Sequence, residues 1–418
     1  METLFIKGGR KLSGSLEVVT AKNAILPILA GSIISDKPIT INKVAQFSDV
    51  LYMIKILLSL GALVQLDGDK VHINSKYADK FVVKDEFTKK VRSSVFMLGP
   101  LLSRFKKAKV AYPGGCNIGN RPINLHIKGL EALNVKIEEK HGYIICDGRN
   151  MRAGEVHLDF PSVGATENLI MASVKLKGVT TIYNCAREPE IEDLQDFLNS
   201  MGCKVSGAGS STITIEGVEK FNETNYSPIK DRIVAGTYLI ACAMCGGDIN
   251  LIGCEKRFNQ ALISKLKNAG AKITERAGSL EIKVANKLNS IPIIETQPYP
   301  GFPTDLQNQI LALQTISTGT SVVVENLYES RFKICNELLR MGADITLKDR
   351  MAIIKGVDKL YGANVVASDL RGGAGLVLAG LVADGYTTVE DIYHIDRGYL
   401  SIEEDFCKLN GEIKRIKD

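Results

Sequence analysis

Residues able to bind or move charge recur where apolar stretches of the chain begin. They are Lys22-Asn23, Arg92, Ser162 with Thr166, Arg232, Asp305, and Asp369 with Arg371. If each stretch is a helix, these residues stand at its N-terminus. Free N–H groups and the positive dipole end there suit an anion. Simple N-capping would also select Asp305 and Asp369. It would not select Lys22, Arg92 or Arg371, because a cation at a helix start is unfavourable without an anion beside it. The set reads as a phosphate-binding cleft between two domains. A second concentration is the loop Tyr112-Pro113-Gly114-Gly115-Cys116-Asn117-Ile118-Gly119-Asn120-Arg121-Pro122. Its glycines and prolines predict tight turns and an exposed thiol. Arg121 would lower the pKa of that thiol, which makes Cys116 the candidate nucleophile or proton donor.

Other candidates carry less. Cys242 and Cys245 have metal-like spacing but lie in an apolar helical stretch without a second pair, and structural zinc needs four ligands. No metal and no cofactor is expected. His126 and His394 read as structural hydrogen-bonders near the polar loops. Asp391, Asp396 and Arg397, then Arg187-Glu188, then Glu329 with Arg331, fall in loops after strands. Exposed salt bridges there would contribute under about 1 kcal/mol, so their recurrence at equivalent loops favours the cleft. The P-loop, dinucleotide, zinc-protease and hydrolase-elbow motifs are absent from the sequence.

The elements that must position these residues come from a sixfold repeat. An apolar helical stretch ends in Gly or Asn at positions 61, 134, 202, 270, 342 and 410, roughly 70 residues apart. Gly and Asn tolerate the left-handed conformation that closes a helix. Alternating, strand-like residues follow. Upstream lies a second helix, starting near Lys22, Arg92, Val163, Arg232, Asp305 and Leu370. Each unit reads helix, strand, helix, strand, strand. The upstream helices are too apolar for a surface, so helices are expected inside and sheets outside. The expected fold is α/β, an inside-out α/β barrel of two pseudo-threefold domains. One would span 21–229. The other would take 1–20 and 230–418, with the polar segment 221–230 as crossover.

Composition agrees with a soluble globular chain. The 418 residues are 45% hydrophobic and 24% charged, with a net charge of +5. That excludes a disordered or collagen-like chain and argues weakly against nucleic acid as a partner. No run approaches about 18 apolar residues, so no membrane insertion is expected. The first ten residues lack the apolar region of a signal peptide, and nine dispersed cysteines suit a reducing, cytoplasmic setting.

Several segments together resemble the UDP-N-acetylglucosamine 1-carboxyvinyltransferase family over essentially the whole chain. They are Ala21-Lys22-Asn23-Ala24, the Cys116 loop, Ser162-Val163-Gly164-Ala165-Thr166, Ala186-Arg187-Glu188-Pro189-Glu190, Phe302-Pro303-Thr304-Asp305 and His394-Ile395-Asp396-Arg397-Gly398. The resemblance implies an enolpyruvyl transfer from phosphoenolpyruvate to the 3-hydroxyl of UDP-N-acetylglucosamine, releasing phosphate. It implies Cys116 as proton donor and site of a covalent adduct, and Asp305 as general base. Lys22, Arg121 and Arg397 would neutralise phosphoenolpyruvate, with Asp369 and Arg371 near the same centre. Asn23, Arg92, Pro122, Ile123, Asn124, Leu125, Ser162, Val163, Gly164 and Leu327 would complete substrate binding. Two positions depart from the family pattern. Asn124 stands where Asp is common, and Ser330 where Asn is common in Glu329-Ser330-Arg331-Phe332. Three other readings compete: a transferase using shikimate 3-phosphate, a non-catalytic repeat scaffold, and an RNA phosphate-end cyclase. The Cys116 loop opposes the first and the cations at helix starts oppose the second.

Overall fold

The computed structural model describes residues 2–112, 118–119 and 123–417. Its strands form six four-stranded sheets on one plan. In one of them Glu155–His157 runs parallel to Val179–Tyr183, which pairs antiparallel with Thr212–Glu216. Thr212–Glu216 closes a hairpin with Lys204–Ser206. A parallel pair needs a long crossover, and the inner helix Val163–Ser173 supplies it. The outer helix Pro189–Ser200 leads on to the hairpin. The expected α/β fold of six repeats is what the chain forms, with one addition. Four repeats also hold a short strand of their own before the inner helix: Val82–Val83, Glu155–His157, Ile293–Glu295 and Asn364–Val366. Two or three residues are too few for alternation to register in a sequence.

The chain divides into two compact units. The first comprises Thr20–Gly115 and Arg121–Ile229. Its opening repeat lacks a strand of its own before the helix Lys22–Gly31, and Thr224–Tyr226 fills the place, pairing parallel with Ile39–Ile41. The second comprises Met1–Val19, Cys116–Asn120 and Lys230–Asp418. There the chain start completes two repeats. Leu12–Glu17 runs parallel to Gly247–Ile252, and Glu2–Lys7 inserts between Tyr386–Glu390 and Glu412–Lys417.

The inner helices are apolar because they are enclosed. Nine of the ten residues of Lys22–Gly31 are buried, and 13 of the 14 in Arg232–Cys245. Within the second unit Arg232–Cys245, Gln307–Ile316 and Leu370–Val382 all touch one another. Glycine sets the closest approaches. A Cβ at Gly99 would lie 2.2 Å from the Asn168 carbonyl oxygen. One at Gly375 would lie 2.6 Å from Ile334 Cδ1 and 3.1 Å from the Asn308 carbonyl oxygen.

All six outer helices stop in the same way. Gly61, Asn134, Gly202, Gly270, Gly342 and Asn410 have φ of 95°, 64°, 92°, 115°, 90° and 68°. The next N–H reaches back to a carbonyl five residues earlier in each case, as from Ala62 to Leu57 (3.1 Å) and Cys203 to Leu198 (3.0 Å). This is the Schellman closure, which satisfies helix-end carbonyls and turns the chain directly into its hairpin.

At Gly270 a Cβ would meet only Leu288 Cδ2 at 3.6 Å, an ordinary contact. Substitution there isolates the backbone cost. Gly270→Ala is expected to lower unfolding free energy by about 1 kcal/mol, and Gly270→Asn by less. Equilibrium denaturation of the two variants measures this, and equal losses would contradict it.

Candidate active site

In the first unit the chain collects three helix starts around one histidine. Arg92 opens the short helix Arg92–Met97, Ser162 caps Val163–Ser173, and Ile123 precedes Asn124–Ala132. A Cβ at Gly164 would lie 3.1 Å from His126 Cε1 and 3.2 Å from Phe96 Cε1, so glycine lets the three segments meet. Asn168 locks the arrangement. Its amide nitrogen reaches His126 Nδ1 (2.8 Å) and the Val95 carbonyl (2.9 Å), while its oxygen accepts from Gly99 N–H (2.8 Å). Accepting at Nδ1 places the imidazole proton on Nε2. Burial, helped by the charge of Arg92, pushes the His126 pKa down to about 4, so the ring is neutral. His126 is thus a structural hydrogen-bonder, as its sequence context predicts. The segment around it brings together Arg92, Ile123, Asn124, Leu125, Ser162, Val163 and Gly164. Asn124 is exposed and Leu125 partly so.

Lys22 is buried at the start of its helix, with Asn23 partly exposed beside it. The ammonium faces Asp49 Oδ2 at 3.4 Å. The cation therefore already has an internal counter-charge, which the sequence reading did not foresee. Asp49 sits on the neighbouring outer helix Ser48–Ser59, and only folding brings it near.

A second group lies in the other unit and centres on Asp305. Arg331 Nη2 donates to one carboxylate oxygen (2.6 Å) and Arg371 Nη2 to the other (3.0 Å). Arg331 Nη1 also lies 3.9 Å from Asp369 Oδ1. Both guanidinium groups are buried, at 2% and 5% side-chain exposure, whereas Asp305 is 26% exposed. Burial opposes the charge on Arg371, but Asp305 outweighs it and holds the guanidinium above the ordinary arginine range. Charge-assisted bonds of this kind fix the carboxylate in place as an ionised acceptor. Arg331 Nε and Arg371 Nη1 have no hydrogen-bond partner among the described residues. Buried donors left unspent beside an oriented carboxylate suit an anionic ligand next to a proton acceptor.

Arg331 and Glu325, which were not among the candidate site residues, hold this group together with Asp369. The sequence sets Arg331 beside Glu329 in a loop whose recurrence favours the cleft over a simple salt bridge. Arg331 grips Asp305, and Arg350 approaches Glu329 (3.5 Å). Glu325 accepts from the N–H groups of Leu327 (2.8 Å) and Tyr328 (3.0 Å) and from Thr304 Oγ1 (2.9 Å). It ties the loop bearing Leu327 to the turn bearing Asp305. Asp369 caps its helix through the N–H groups of Arg371 and Gly372, both at 3.0 Å. Arg397 ends the short helix Ile392–Arg397. Burial, and then the charge of Arg397, lowers the pKa of His394 on that helix. Cys116, Arg121 and Pro122 lie outside the described residues. Arg371 lies in the second unit, and Lys22 and Arg92 lie in the first.

The EPSP synthase (3-phosphoshikimate 1-carboxyvinyltransferase) family model matches residues 6–406. UDP-N-acetylglucosamine 1-carboxyvinyltransferase 2 of Caldanaerobacter subterraneus subsp. tengcongensis is 48% identical over 411 residues, covering 98% of this chain and 99% of that one. UDP-N-acetylglucosamine 1-carboxyvinyltransferase 1 of Clostridium perfringens is 44% identical over 422 residues, covering 100% of both. Among solved structures, the enolpyruvyl transferase NikO from Streptomyces tendae superposes with a TM-score of 0.88. It is 20% identical, covering 100% of this chain and 99% of that one. EPSP synthase from Acinetobacter baumannii gives 0.77 at 18% identity, covering 100% of both. These two structural likenesses concern the fold.

One buried group near the first unit's helix starts has no such company. Glu167 is fully buried in Val163–Ser173, and neither carboxylate oxygen has a partner among the described residues. Burial first, then the charges of Glu190 and Glu188, hold its pKa well above the ordinary 4.5. The folded chain keeps this proton while the unfolded chain releases it, so stability falls as pH rises above about 4.5. His126 has the opposite sign. Its folded pKa lies below the unfolded value, so stability falls as pH drops from 6.5 towards about 4. Glu167→Gln is expected to change stability little at pH 5 and to raise it by about 1–3 kcal/mol at pH 8. Denaturation at the two pH values tests this. An advantage independent of pH would mean that Glu167 is ionised in the fold.

Proposed function

The chain belongs to the EPSP synthase (3-phosphoshikimate 1-carboxyvinyltransferase) family, and we infer that it catalyses the reaction for which its full-length relatives are named. It transfers the enolpyruvyl group of phosphoenolpyruvate to the 3-hydroxyl of UDP-N-acetylglucosamine and releases phosphate. This is the first committed step of peptidoglycan synthesis. The observation that carries the choice of acceptor is identity of 44–48% over essentially the whole length with enzymes named for that acceptor.

We propose the residue roles from the chemistry. The sugar hydroxyl attacks C2 of phosphoenolpyruvate as C3 gains a proton. The tetrahedral intermediate then expels phosphate as C3 loses a proton. Asp305, held ionised by Arg331 and Arg371 and partly exposed, is suited to take the hydroxyl proton. Cys116 supplies the proton to C3 and is the site of a covalent adduct. A thiol with an ordinary pKa of about 8.5 holds a proton at pH 7 and still takes one back. Lys22, Arg121 and Arg397 neutralise the phosphate and carboxylate of phosphoenolpyruvate, with Asp369 and Arg371 near the same centre. Arginine suits this because its fork engages oxygens in pairs. Arg92, Pro122, Ile123, Asn124, Leu125, Ser162, Val163, Gly164 and Leu327 hold the nucleotide sugar, with Asn23 reaching from its helix start. Helix ends and arginines provide the positive charge, so the roles require no cofactor. We propose a cytoplasmic setting for the reaction. The eight cysteines among the described residues are free, and no helix there is long and apolar enough to cross a membrane.

The test is phosphate release from phosphoenolpyruvate with UDP-N-acetylglucosamine as sole acceptor. Release is expected only when both substrates are present. Release with shikimate 3-phosphate alone would reassign the acceptor. Cys116→Ser is expected to lose most turnover while still binding UDP-N-acetylglucosamine. Asp305→Asn should lose about 10²–10⁴-fold in kcat. Full activity in either variant would remove the corresponding role.

A further inference from the structure

We propose that the Tyr399 hydroxyl is the positioning group for Arg397. This rests on the reading of Arg397 as a ligand of phosphoenolpyruvate. Arg397 closes a six-residue 3₁₀ helix, Ile392–Arg397, whose last backbone bonds converge on one carbonyl. The N–H groups of Gly398 and Tyr399 both donate to the Ile395 carbonyl, at 3.0 and 3.1 Å. So short a segment gains little rigidity from its own bonds, and its setting comes from the residues on either side of Arg397.

On one side Asp396 is clamped by Arg415, with contacts of 3.0 and 2.7 Å, and Arg415 also holds Glu403 and Glu2. On the other side Tyr399 turns inward and is 1% exposed. Its hydroxyl lies 2.7 Å from Thr237 Oγ1, inside the helix Arg232–Cys245. Thr237 Oγ1 also lies 2.9 Å from the Ile233 carbonyl, which only accepts; with the Thr237 proton there, Tyr399 is the donor to Thr237. Gln309, on Gln307–Ile316, donates to the same oxygen (3.2 Å). The Tyr399 oxygen also lies within electrostatic reach of Arg371. The turn docks on the third inner helix as well. Gly373 leaves room for Ile395, and Gly398 packs on Leu370. One phenol thus refers the Arg397 turn to two inner helices through a bond with a defined direction, while the third fixes it by packing.

A matched control lies next to Thr237. Tyr238 is equally buried, and its hydroxyl ends on Asp405 Oδ2 (2.7 Å) of the outer helix Ile402–Lys408. Removing either hydroxyl takes away one buried hydrogen bond, but only Tyr399 adjoins the Arg397 turn.

The experiment compares Tyr399→Phe, Thr237→Val, their double variant and Tyr238→Phe. The readings are KM for phosphoenolpyruvate at saturating UDP-N-acetylglucosamine, and the Kd of UDP-N-acetylglucosamine alone. Tyr399→Phe and Thr237→Val should each raise KM for phosphoenolpyruvate about tenfold, with nucleotide affinity unchanged. The double variant should be no worse than either single one, because both remove one interaction. Tyr238→Phe should lose Tm without moving that KM. An unchanged KM in Tyr399→Phe, an equal rise in Tyr238→Phe, or additive effects in the double variant would overturn the inference. Wild-type turnover is measured alongside. A wild-type chain that releases no phosphate overturns the reaction assignment itself, which is a different result from a normal wild type with a normal Tyr399→Phe.

Discussion

A helix enclosed on every side has only its ends left for polar chemistry, and this constraint organises the molecule. The inner helices spend their side walls on packing, down to glycines that leave no room for a methyl group. Apolar burial of that kind is worth about 25 cal/mol per Å² and forbids unpaired polar groups along the wall. The polar residues of an inner helix are therefore pushed towards its ends or into closed internal networks, such as Gln309, Thr237 and Tyr399. At the ends, backbone N–H groups need acceptors whatever the protein does. Chemistry gathers where the fold already demands partners.

The two units meet that demand differently. In the first, Ala21, Val91 and Ser162 precede the helix starts, and no acidic residue lies in those first turns. In the second, Asp231 and Asp369 cap their helices and Asp305 lies in the first turn of the third start. A capping carboxylate uses up the dipole and donors that would otherwise attract an anion. The first unit leaves its helix ends without acidic residues, whereas the second fills them with carboxylates and brings in Arg331 and Arg371 to balance Asp305. One repeat plan yields two kinds of site through a few residues at equivalent positions, so the function cannot be read from the fold alone.

Much of this was legible in the residues. The Gly or Asn stops announced six helix ends, because a left-handed residue is a local requirement that few residue types meet. The apolar inner helices and their start positions were legible for the same local reason. What escaped notice was long-range. Arg331 looks like half of a loop pair with Glu329 until the fold places Asp305 beside it. Asp49, Asn168 and Glu325 carry no local signature of their roles, since each acts on a partner 20 or more residues away in sequence. The short first strand of four repeats was invisible because its pairing partner, not its own pattern, makes it a strand.

The Asp305 group shows why such long-range pairing matters to chemistry. A carboxylate held by two guanidinium groups is well placed but reluctant to take a proton, since each arginine favours its ionised form. With Asp369 included, these four side chains carry two positive and two negative charges. An anionic ligand bound beside Asp305, as the proposed function requires, would tip that balance to negative. The least costly relief is a proton on the most exposed member, and that member is Asp305. On the proposed role of Asp305 as base, an anionic substrate beside it would favour its protonated form when a hydroxyl is there to give a proton. On that proposal, the two arginines hold the carboxylate in position and the ligand it serves would supply its basicity.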